Sequence, residues 1–225
     1  MAKRNANRGL AVYMCAILTF LYLPIIVLIA LSFNKSKFAS VWTGFSFQWY
    51  RVLLHDDAIL ESIRNTVTIA LLATLISVIF GTLLAFGLER YTRSATLDSS
   101  VYFPLLIPDA VTGIGLLSFF SAITLPLGTT TIVIAHSVWG IAFATAIVRT
   151  RVRGLDRSLE EASLDLGARE LRTFTRITLP LITPGIVAAA LVVFTLSIDE
   201  FIIAFFTSGQ TTTFPIRIYS MIHFG

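Results

Sequence analysis

Residues 9–33 read GLAVYMCAILTFLYLPIIVLIALSF, and this stretch contains no Asp, Glu, Lys or Arg. A second charge-free run, residues 65–88, reads NTVTIALLATLISVIFGTLLAFGL. About 20 apolar residues, at a rise of roughly 1.5 Å each, let a helix cross the hydrocarbon core of a bilayer. The first run is also longer than the roughly 7–15 apolar residues of a cleavable signal peptide. The sequence therefore predicts an integral membrane protein whose first helix is retained.

The composition supports several membrane helices. Of the 225 residues, 56% are hydrophobic and 13% are charged, and the mean hydropathy is +0.82, whereas soluble domains carry about 25% charged residues. We predict an all-α bundle forming a single transmembrane domain over residues 1–225. Pro126, Gly128 and the threonines at 129–131 separate two of its helices. Five spans are expected, at about 10–33, 65–88, 101–125, 130–149 and 183–206.

The basic residues predict the orientation of these spans. With a cytoplasmic N-terminus, 12 of the 17 Lys and Arg residues fall inside, which follows the positive-inside rule. The inside set is Lys3, Arg4, Arg8, Arg90, Arg93, Arg149, Arg151, Arg153, Arg157, Arg169, Arg172 and Arg176, and the outside set is Lys35, Lys37, Arg51, Arg64 and Arg217. The formal net charge of +4 is therefore interpreted as membrane orientation, not as binding to nucleic acid.

The sequence also argues against several kinds of functional site. It has one cysteine, Cys15, and three scattered histidines, so neither a disulfide framework nor a metal cluster is predicted. No Gly-Lys pair occurs, which excludes a P-loop, so ATP would have to bind to another chain. No nucleophile is paired with a base, and we do not expect an enzyme. His136 is interpreted as an interhelical hydrogen-bonding residue.

The inner loop at about 150–182 is rich in arginine and lies within RTRVRGLDRSLEEASLDLGARELRTFTRITLPLITPG, residues 149–185. Ser158 and Glu161 have the spacing of a capping box, which predicts a short helix over 159–166. Gly167 can end that helix in the left-handed conformation. A second short helix is expected over 168–177, limited by Pro180 and Pro184. From spacing alone, a docking site and an unpartnered surface loop both remain open.

The loop contains a recognisable motif. Glu161-Ala162-Ser163, three residues, Gly167, nine residues and Ile177-x-Leu179-Pro180 resemble the EAA loop, EAA-x3-G-x9-I-x-L-P, of binding-protein-dependent ABC importer permeases. The one departure is Ser163, which replaces the second Ala. In that family the loop docks on the ATP-binding subunit. The resemblance implies that the coupling residues are Glu161, Ala162, Ser163, Asp165, Leu166, Gly167 and Ala168.

Further segments resemble the second permease subunit of spermidine/putrescine importers. They include residues 24–26, 32–34, 42–50, 108–109, 197–200 and 215–221. The resemblance implies a bacterial cytoplasmic membrane protein that works with a dimer of ABC ATPase subunits, a second permease subunit and an extracytoplasmic substrate-binding protein. It implies no cofactor on this chain, since ATP and Mg²⁺ would bind to the ATPase. Members of the family have six spans, so a sixth is expected after residue 225.

Three acids and one aromatic residue are candidates for the substrate pathway. Carboxylates inside a membrane are costly and usually face a partner or a water-filled path. Asp109 is expected about 12 Å into the third span, with Asp199 and Glu200 nearer the outer end of the fifth. Because neighbouring residues of a helix point about 100° apart, only one of that pair is expected to face a narrow pathway. Trp49 could contact a cationic substrate or lie at the membrane interface.

Each carboxylate also has a structural interpretation. Asp109 could cap a helix after a proline kink, and Asp199 or Glu200 could form an interhelical ion pair or lie at an interface. The favoured function is a permease subunit of an ABC importer for spermidine or putrescine, because separated carboxylates suit a chain of ammonium groups. The alternatives are an importer for ferric iron, thiamine or a phosphonate, an ion-coupled secondary transporter, and an intramembrane enzyme.

Overall fold

The computed structural model of the chain describes residues 2–38, 40–91 and 94–224. In these ranges the chain is almost entirely helical, and its one β-bridge joins Asn34 to Phe45. The α-helices are α1 Ala2–Leu31, α2 Gln48–Leu54, α3 Asp57–Arg90, α4 Ala95–Tyr102, α5 Asp109–Ala122, α6 Thr129–Arg153, α7 Ser158–Asp165, α8 Glu170–Thr173, α9 Leu179–Asp199, α10 Ile202–Thr207 and α11 Phe214–Phe224. A 3-10 turn, Phe103–Leu105, follows α4, and a π-helical turn, Phe174–Thr178, precedes α9.

The chain divides into two compact units, residues 1–60 and 61–225. In the first unit, α1 exposes apolar side chains on all sides from Leu10 onward. Such a helix satisfies its own backbone and suits hydrocarbon. The loop after α1 is organised by Asn34, whose buried amide donates to the carbonyl of Val41 at 2.7 Å and accepts from the amide of Thr43 at 3.0 Å.

In the second unit, α6 packs along α9 through a cluster of small and branched residues. The buried members are Ala85, Ala144, Val148, Val152, Ile182, Ala189 and Val193. Small residues let membrane helices approach closely, which increases van der Waals contact where no hydrophobic force drives association. Gly81 of α3 shows this closeness, because a Cβ there would lie 2.5 Å from Ala144 Cβ and 2.9 Å from the backbone nitrogen of Thr145.

The predicted third span is not one straight helix. The helical path bends by 100° between the segment Thr96–Leu105 and α5. Pro108 is the residue before α5, and proline disfavours helical geometry in the residue that precedes it. The prediction of a continuous helix over 101–125 was therefore wrong, although α6 begins at Thr129, close to the predicted start.

The predicted fifth span also had wrong boundaries. The helical segment runs over Glu170–Asp199, and the chain breaks at Glu200 and Phe201 before α10. Pro180 does not end this helical segment, because it is the second residue of α9, which directly continues the π-helical turn. Pro184 lies inside α9, as proline often does in membrane helices.

Four helices in the described ranges are long and apolar enough to cross a membrane, and the bent pair makes five if it counts as one span. This agrees with the predicted number of spans. The sixth span expected after residue 225 stays a prediction, as does the organisation of residues 1–225 as a single domain.

The contact between α3 and α6 makes a testable prediction. Gly81→Ala should lower the thermal stability of the purified protein in detergent, by about 1–3 kcal/mol, because its Cβ would overlap backbone that cannot move aside. Gly87→Ala is the matched control on the same helix, since a Cβ there meets nothing within 4 Å. Equal stability of the two variants would contradict this account of the helix contact.

Candidate functional site

A cavity of about 240 Å³ lies in the second unit. Asp109 reaches it from the first position of α5, Asp199 from the last position of α9, and Glu200 from the break that follows. The remaining lining residues are Pro104, Leu105, Ile107, Trp139, Phe143 and Leu196. The structure thus brings all three predicted acids together, although Asp109 lies far from Asp199 and Glu200 in the sequence.

The helix breaks explain why all three carboxylates line one cavity. Asp199 ends α9 and Glu200 lies in the break that follows, so the two are not neighbours on a regular helix and both line the cavity. Which of them faces a substrate pathway stays a prediction. Gly113 of α5 allows close packing against α10, because a Cβ there would lie 2.8 Å from the ring of Phe206. The N-terminus of α5 carries a partial positive charge that favours the carboxylate of Asp109.

The structural interpretations of the three acids have different outcomes. Glu200 is a cap, since its Oε1 accepts a hydrogen bond of 2.9 Å from the backbone N–H of Ile203 in α10. The ion pairs of the described ranges join Arg90 to Glu160, Arg149 to Glu89 and Asp98, and Arg153 to Glu89. None of these pairs includes Asp109, Asp199 or Glu200. The interhelical ion pair considered for Asp199 and Glu200 is therefore not formed within the described residues.

Two aromatic residues that sequence reasoning missed form another part of the wall. Trp139 and Phe143 lie one helical turn apart on α6, and their rings are perpendicular with centroids 5.7 Å apart. Trp139 is 7% exposed, and its indole N–H has no hydrogen-bond partner among the described residues. Their four-residue spacing on an apolar helix could have predicted a shared face, but it could not predict the neighbouring carboxylates.

Trp49 lies in the first unit, where its indole N–H donates to the carbonyl of Asn34 at 3.0 Å. It lines a pocket of about 360 Å³ together with Tyr50 and Lys37. Its expected role in the substrate pathway stays a prediction. His136 and Ser197 form the predicted interhelical hydrogen bond, with 2.7 Å between Nδ1 and Oγ. No group of three or more His, Cys, Asp or Glu in the described ranges could hold a metal ion.

The loop at about 150–182 contains a helix cap different from the one predicted. Ser158 is the first residue of α7, and its backbone N–H donates to Oδ1 of Asp156 at 2.9 Å. Hydrogen bonds from Ser158 hold the pKa of Asp156 below its usual value. The predicted capping box of Ser158 and Glu161 was therefore wrong, because Ser158 is the first helical residue and the N-cap position belongs to Arg157. Glu161 is exposed.

Gly167 ends α7 as predicted, with φ of +81°. Its N–H bonds to the carbonyl of Leu164 at 2.8 Å, and the N–H of Ala168 bonds to the carbonyl of Ser163 at 3.1 Å. These two bonds form a Schellman motif, which favours glycine at its left-handed position. The turn leaves Leu166 90% exposed. The second helix differs from the prediction, because α8 is short and continues through the π-helical turn into α9.

A network of ion pairs joins the base of this loop to the helices. Arg149 of α6 is buried, and its guanidinium contacts Glu89 at 2.8 Å, Asp98 of α4, and the hydroxyl of Tyr102 at 3.1 Å. Arg153 contacts Glu89 at 3.0 Å. Sequence reasoning missed the network because it treated these arginines as orientation signals, and their acidic partners lie on other helices.

Comparison with known proteins identifies the family. The family described as "Binding-protein-dependent transport system inner membrane component" matches residues 1–225. The chain belongs to this family. The permease is 40% identical to the putrescine transport system permease protein PotI of Escherichia coli K12 over 217 residues, which is 92% of this chain and 77% of that protein. It is 35% identical to the spermidine/putrescine transport system permease protein PotC of the same organism, over 95% of this chain and 82% of that protein.

The fold is also known from solved structures. The permease matches a chain of a bacterial ABC transporter involved in the import of the acidic polysaccharide alginate, with a TM-score of 0.73 and 18% identity over 97% of this chain and 80% of that one. A chain of a bacterial alginate ABC transporter in complex with an alginate pentasaccharide-bound periplasmic protein gives a TM-score of 0.70 and 19% identity, over 97% of this chain and 84% of that one. The family resemblance and the membrane bundle predicted from the sequence are confirmed. The permease is a multi-pass inner membrane protein of the ABC importer type.

The ion-pair network makes a second prediction. Arg149→Lys keeps the charge but loses the planar fork that contacts Glu89 and Asp98 together. We expect this variant to lose about 1.5–3 kcal/mol of stability in thermal unfolding in detergent, the range for a hydrogen bond to a charged group. Arg153→Lys is the matched control and should lose less than about 1 kcal/mol, because the Arg153 side chain is 56% exposed. Equal losses of stability in the two variants would contradict the larger contribution expected from the buried Arg149.

Proposed function

We propose that the permease is a subunit of an importer for a polyamine such as spermidine or putrescine, and that it forms part of the translocation pathway. The observation that carries this proposal is the cavity lined by Asp109, Asp199 and Glu200, whose carboxylates have no ion-pair partner among the described residues. A polyamine is a chain of ammonium groups joined by methylenes. Carboxylates can form charge-assisted hydrogen bonds with those ammonium groups.

The aromatic part of the wall suits the same substrate. Trp139 and Phe143 offer ring surface beside the carboxylates, and an ammonium group near an aromatic face gains cation–π attraction. Trp49 is proposed as a contact near the outer entrance. The names of PotI and PotC, which are putrescine and spermidine/putrescine permeases, support a polyamine as the substrate. Ferric iron and thiamine remain cationic alternatives, whereas an anionic phosphonate would meet like charges.

Membership of the family supports the following mode of action. The permease acts by alternating access, pairs with a second permease subunit and receives its substrate from an extracytoplasmic binding protein. ATP and Mg²⁺ bind to a dimer of ABC ATPase subunits, and this chain carries neither. The N-terminus lies in the cytoplasm, which places the loop containing α7 on the ATPase side of the membrane. The exposure of Glu161, Ala162, Asp165 and Leu166 leaves them free to contact the ATPase.

The substrate proposal is tested by removing charge without changing size. Asp199→Asn should reduce spermidine and putrescine uptake by the complete transporter about tenfold or more, because a charge-assisted hydrogen bond contributes about 1.5–3 kcal/mol. Asp109→Asn should impair uptake of the longer spermidine more than of putrescine. Uptake is measured in proteoliposomes with labelled substrate and internal ATP.

Asp57→Asn is the control for these variants, because Asp57 is exposed in the first turn of α3 and does not line the cavity. It should leave uptake unchanged. Unchanged spermidine and putrescine uptake by the Asp109→Asn/Asp199→Asn double variant would contradict the polyamine proposal. Uptake driven by a proton gradient without ATP would instead indicate a secondary transporter.

The coupling role of the loop is tested at Gly167. Gly167→Val should disturb the end of α7, because a left-handed residue other than glycine costs about 1–2 kcal/mol and valine is β-branched. Gly167→Asn is the matched control, since asparagine tolerates this conformation, and no atom lies within 4 Å of a Cβ placed there. ATP-driven uptake should fall for valine and stay near normal for asparagine, while membrane insertion is unchanged. Unimpaired uptake with Gly167→Val/Glu161→Ala would contradict the assignment.

A further inference from the structure

Two consecutive glutamates of α7 have different surroundings. The Glu160 side chain is 20% exposed, and its Oε1 receives hydrogen bonds from Nη2 of Arg90 at 3.3 Å and Oγ1 of Thr178 at 2.7 Å. Glu161 is exposed and forms no ion pair within the described ranges. The two side chains point about 100° apart around the helix, so one faces the permease and the other faces away from it.

The partners of Glu160 lie at the ends of two long helices. Arg90 is the last residue of α3, and its side chain is 9% exposed. Thr178 is the last residue of the π-helical turn, directly before α9, and it is 1% exposed. One carboxylate oxygen therefore joins α7 to the end of α3 and to the beginning of α9.

The helix α9 connects this junction to the acidic cavity. It runs without a break for 21 residues, about 30 Å, from Leu179 to Asp199. Its buried residues Ile182, Ala189 and Val193 pack in the cluster shared with α6. A displacement at one end of a packed helix can reach its other end, because close-packed interiors are hard to compress. Such a helix therefore moves between discrete positions as a rigid unit. The π-helical turn before α9 has the looser geometry often found at functional sites.

We propose that Glu160 is the positioning residue that passes movement of α7 to the membrane helices, while Glu161 is left to contact the ATPase. This inference rests on the proposed function, because it takes the loop to bind the ATPase. It divides two tasks between neighbouring residues. Glu161 belongs to the EAA motif, whereas Glu160 precedes it.

Other contacts stabilise the loop independently of Glu160, so its role can be tested apart from the folding of the loop. The hydroxyls of Ser163 and Thr173 lie 2.9 Å apart and join α7 to α8. The Schellman motif at Gly167 also ends α7 without help from Glu160. Loss of the Glu160 contacts should therefore leave the loop folded and able to bind the ATPase. What it should remove is the direct connection from α7 to Arg90 and Thr178.

The test measures ATP hydrolysis and polyamine uptake on the same preparation. The complete complex of permease, second permease subunit, ATPase and binding protein is reconstituted in proteoliposomes, and uptake is expressed per ATP hydrolysed. Glu160→Gln and Thr178→Val keep side-chain size but weaken or remove the contact. Each should lower uptake per ATP about fivefold or more, the equivalent of one hydrogen bond of roughly 1 kcal/mol. Co-purification of the ATPase should stay normal.

Three matched variants sharpen the test. Thr178→Ser retains the hydroxyl and should stay within about twofold of the unmodified protein in uptake per ATP. Glu161→Gln should lower ATPase co-purification instead. The charge-swapped pair Arg90→Glu/Glu160→Arg should recover part of the uptake per ATP that each single change removes, which loss of folding could not explain.

Two results would overturn the inference. One is an unchanged uptake per ATP in Glu160→Gln and Thr178→Val. The other is a loss of ATPase binding in Glu160→Gln equal to that in Glu161→Gln, since Glu160 would then be a docking residue. Should Glu160→Gln fail to assemble, Thr178→Val decides, because it leaves the ion pair with Arg90 intact. Failure of the unmodified permease to bind the ATPase would refute the proposed function itself, and this inference with it.

Discussion

The second unit depends on one constraint, the absence of water as a hydrogen-bond partner within hydrocarbon. Several polar side chains of the long helices therefore form their hydrogen bonds within the protein. Thr145 bonds to the carbonyl of Ile141, Ser137 to that of Val133, and His136 to Ser197. Polar groups that lack such partners are costly. Asp109, Asp199 and the indole N–H of Trp139 are unpaired in the described ranges, and all three residues line the same cavity. The hydroxyls of Thr74, Ser77 and Thr82 on α3 are also unpaired among the described residues, so the cavity is distinguished by its carboxylates and not by unpaired groups alone.

The same constraint explains the contrast between the two groups of acids. Glu89, Asp98 and Glu160 lie near the helix ends, and each is paired with an arginine. Such pairs tie the ends of α3, α4, α6 and α7 together, and they need no ligand. The acids of the cavity have no basic partner among the described residues. One set joins helix ends, and the other carries negative charge that the proposed polyamine would neutralise.

Sequence patterns predicted the features that depend on local chemistry. Charge-free runs predict spans because hydrocarbon excludes charge, and Gly167 predicts a left-handed turn because its backbone is unrestricted. The break near Pro108 was missed because proline occurs both inside and at the ends of membrane helices, and the break at Glu200 was missed because no proline or glycine marks it. The meeting of Asp109 with Glu200 depends on packing between segments distant in sequence. The cap at Asp156 was missed for a simpler reason, since Ser158 is an equally suitable residue two positions away.

The three carboxylates of the cavity all lie at helix breaks. Asp109, Asp199 and Glu200 belong to the start of one helix, the end of another and the link to a third, so a tilt of any segment alters the spacing of the carboxylates. Repulsion between like charges falls with distance. Crowded carboxylates hold a cation more strongly than separated ones, because the cation relieves their repulsion. For the polyamine proposed as substrate, small tilts of these helices would thus turn a site that binds the cation into one that releases it, with the same carboxylates in both states.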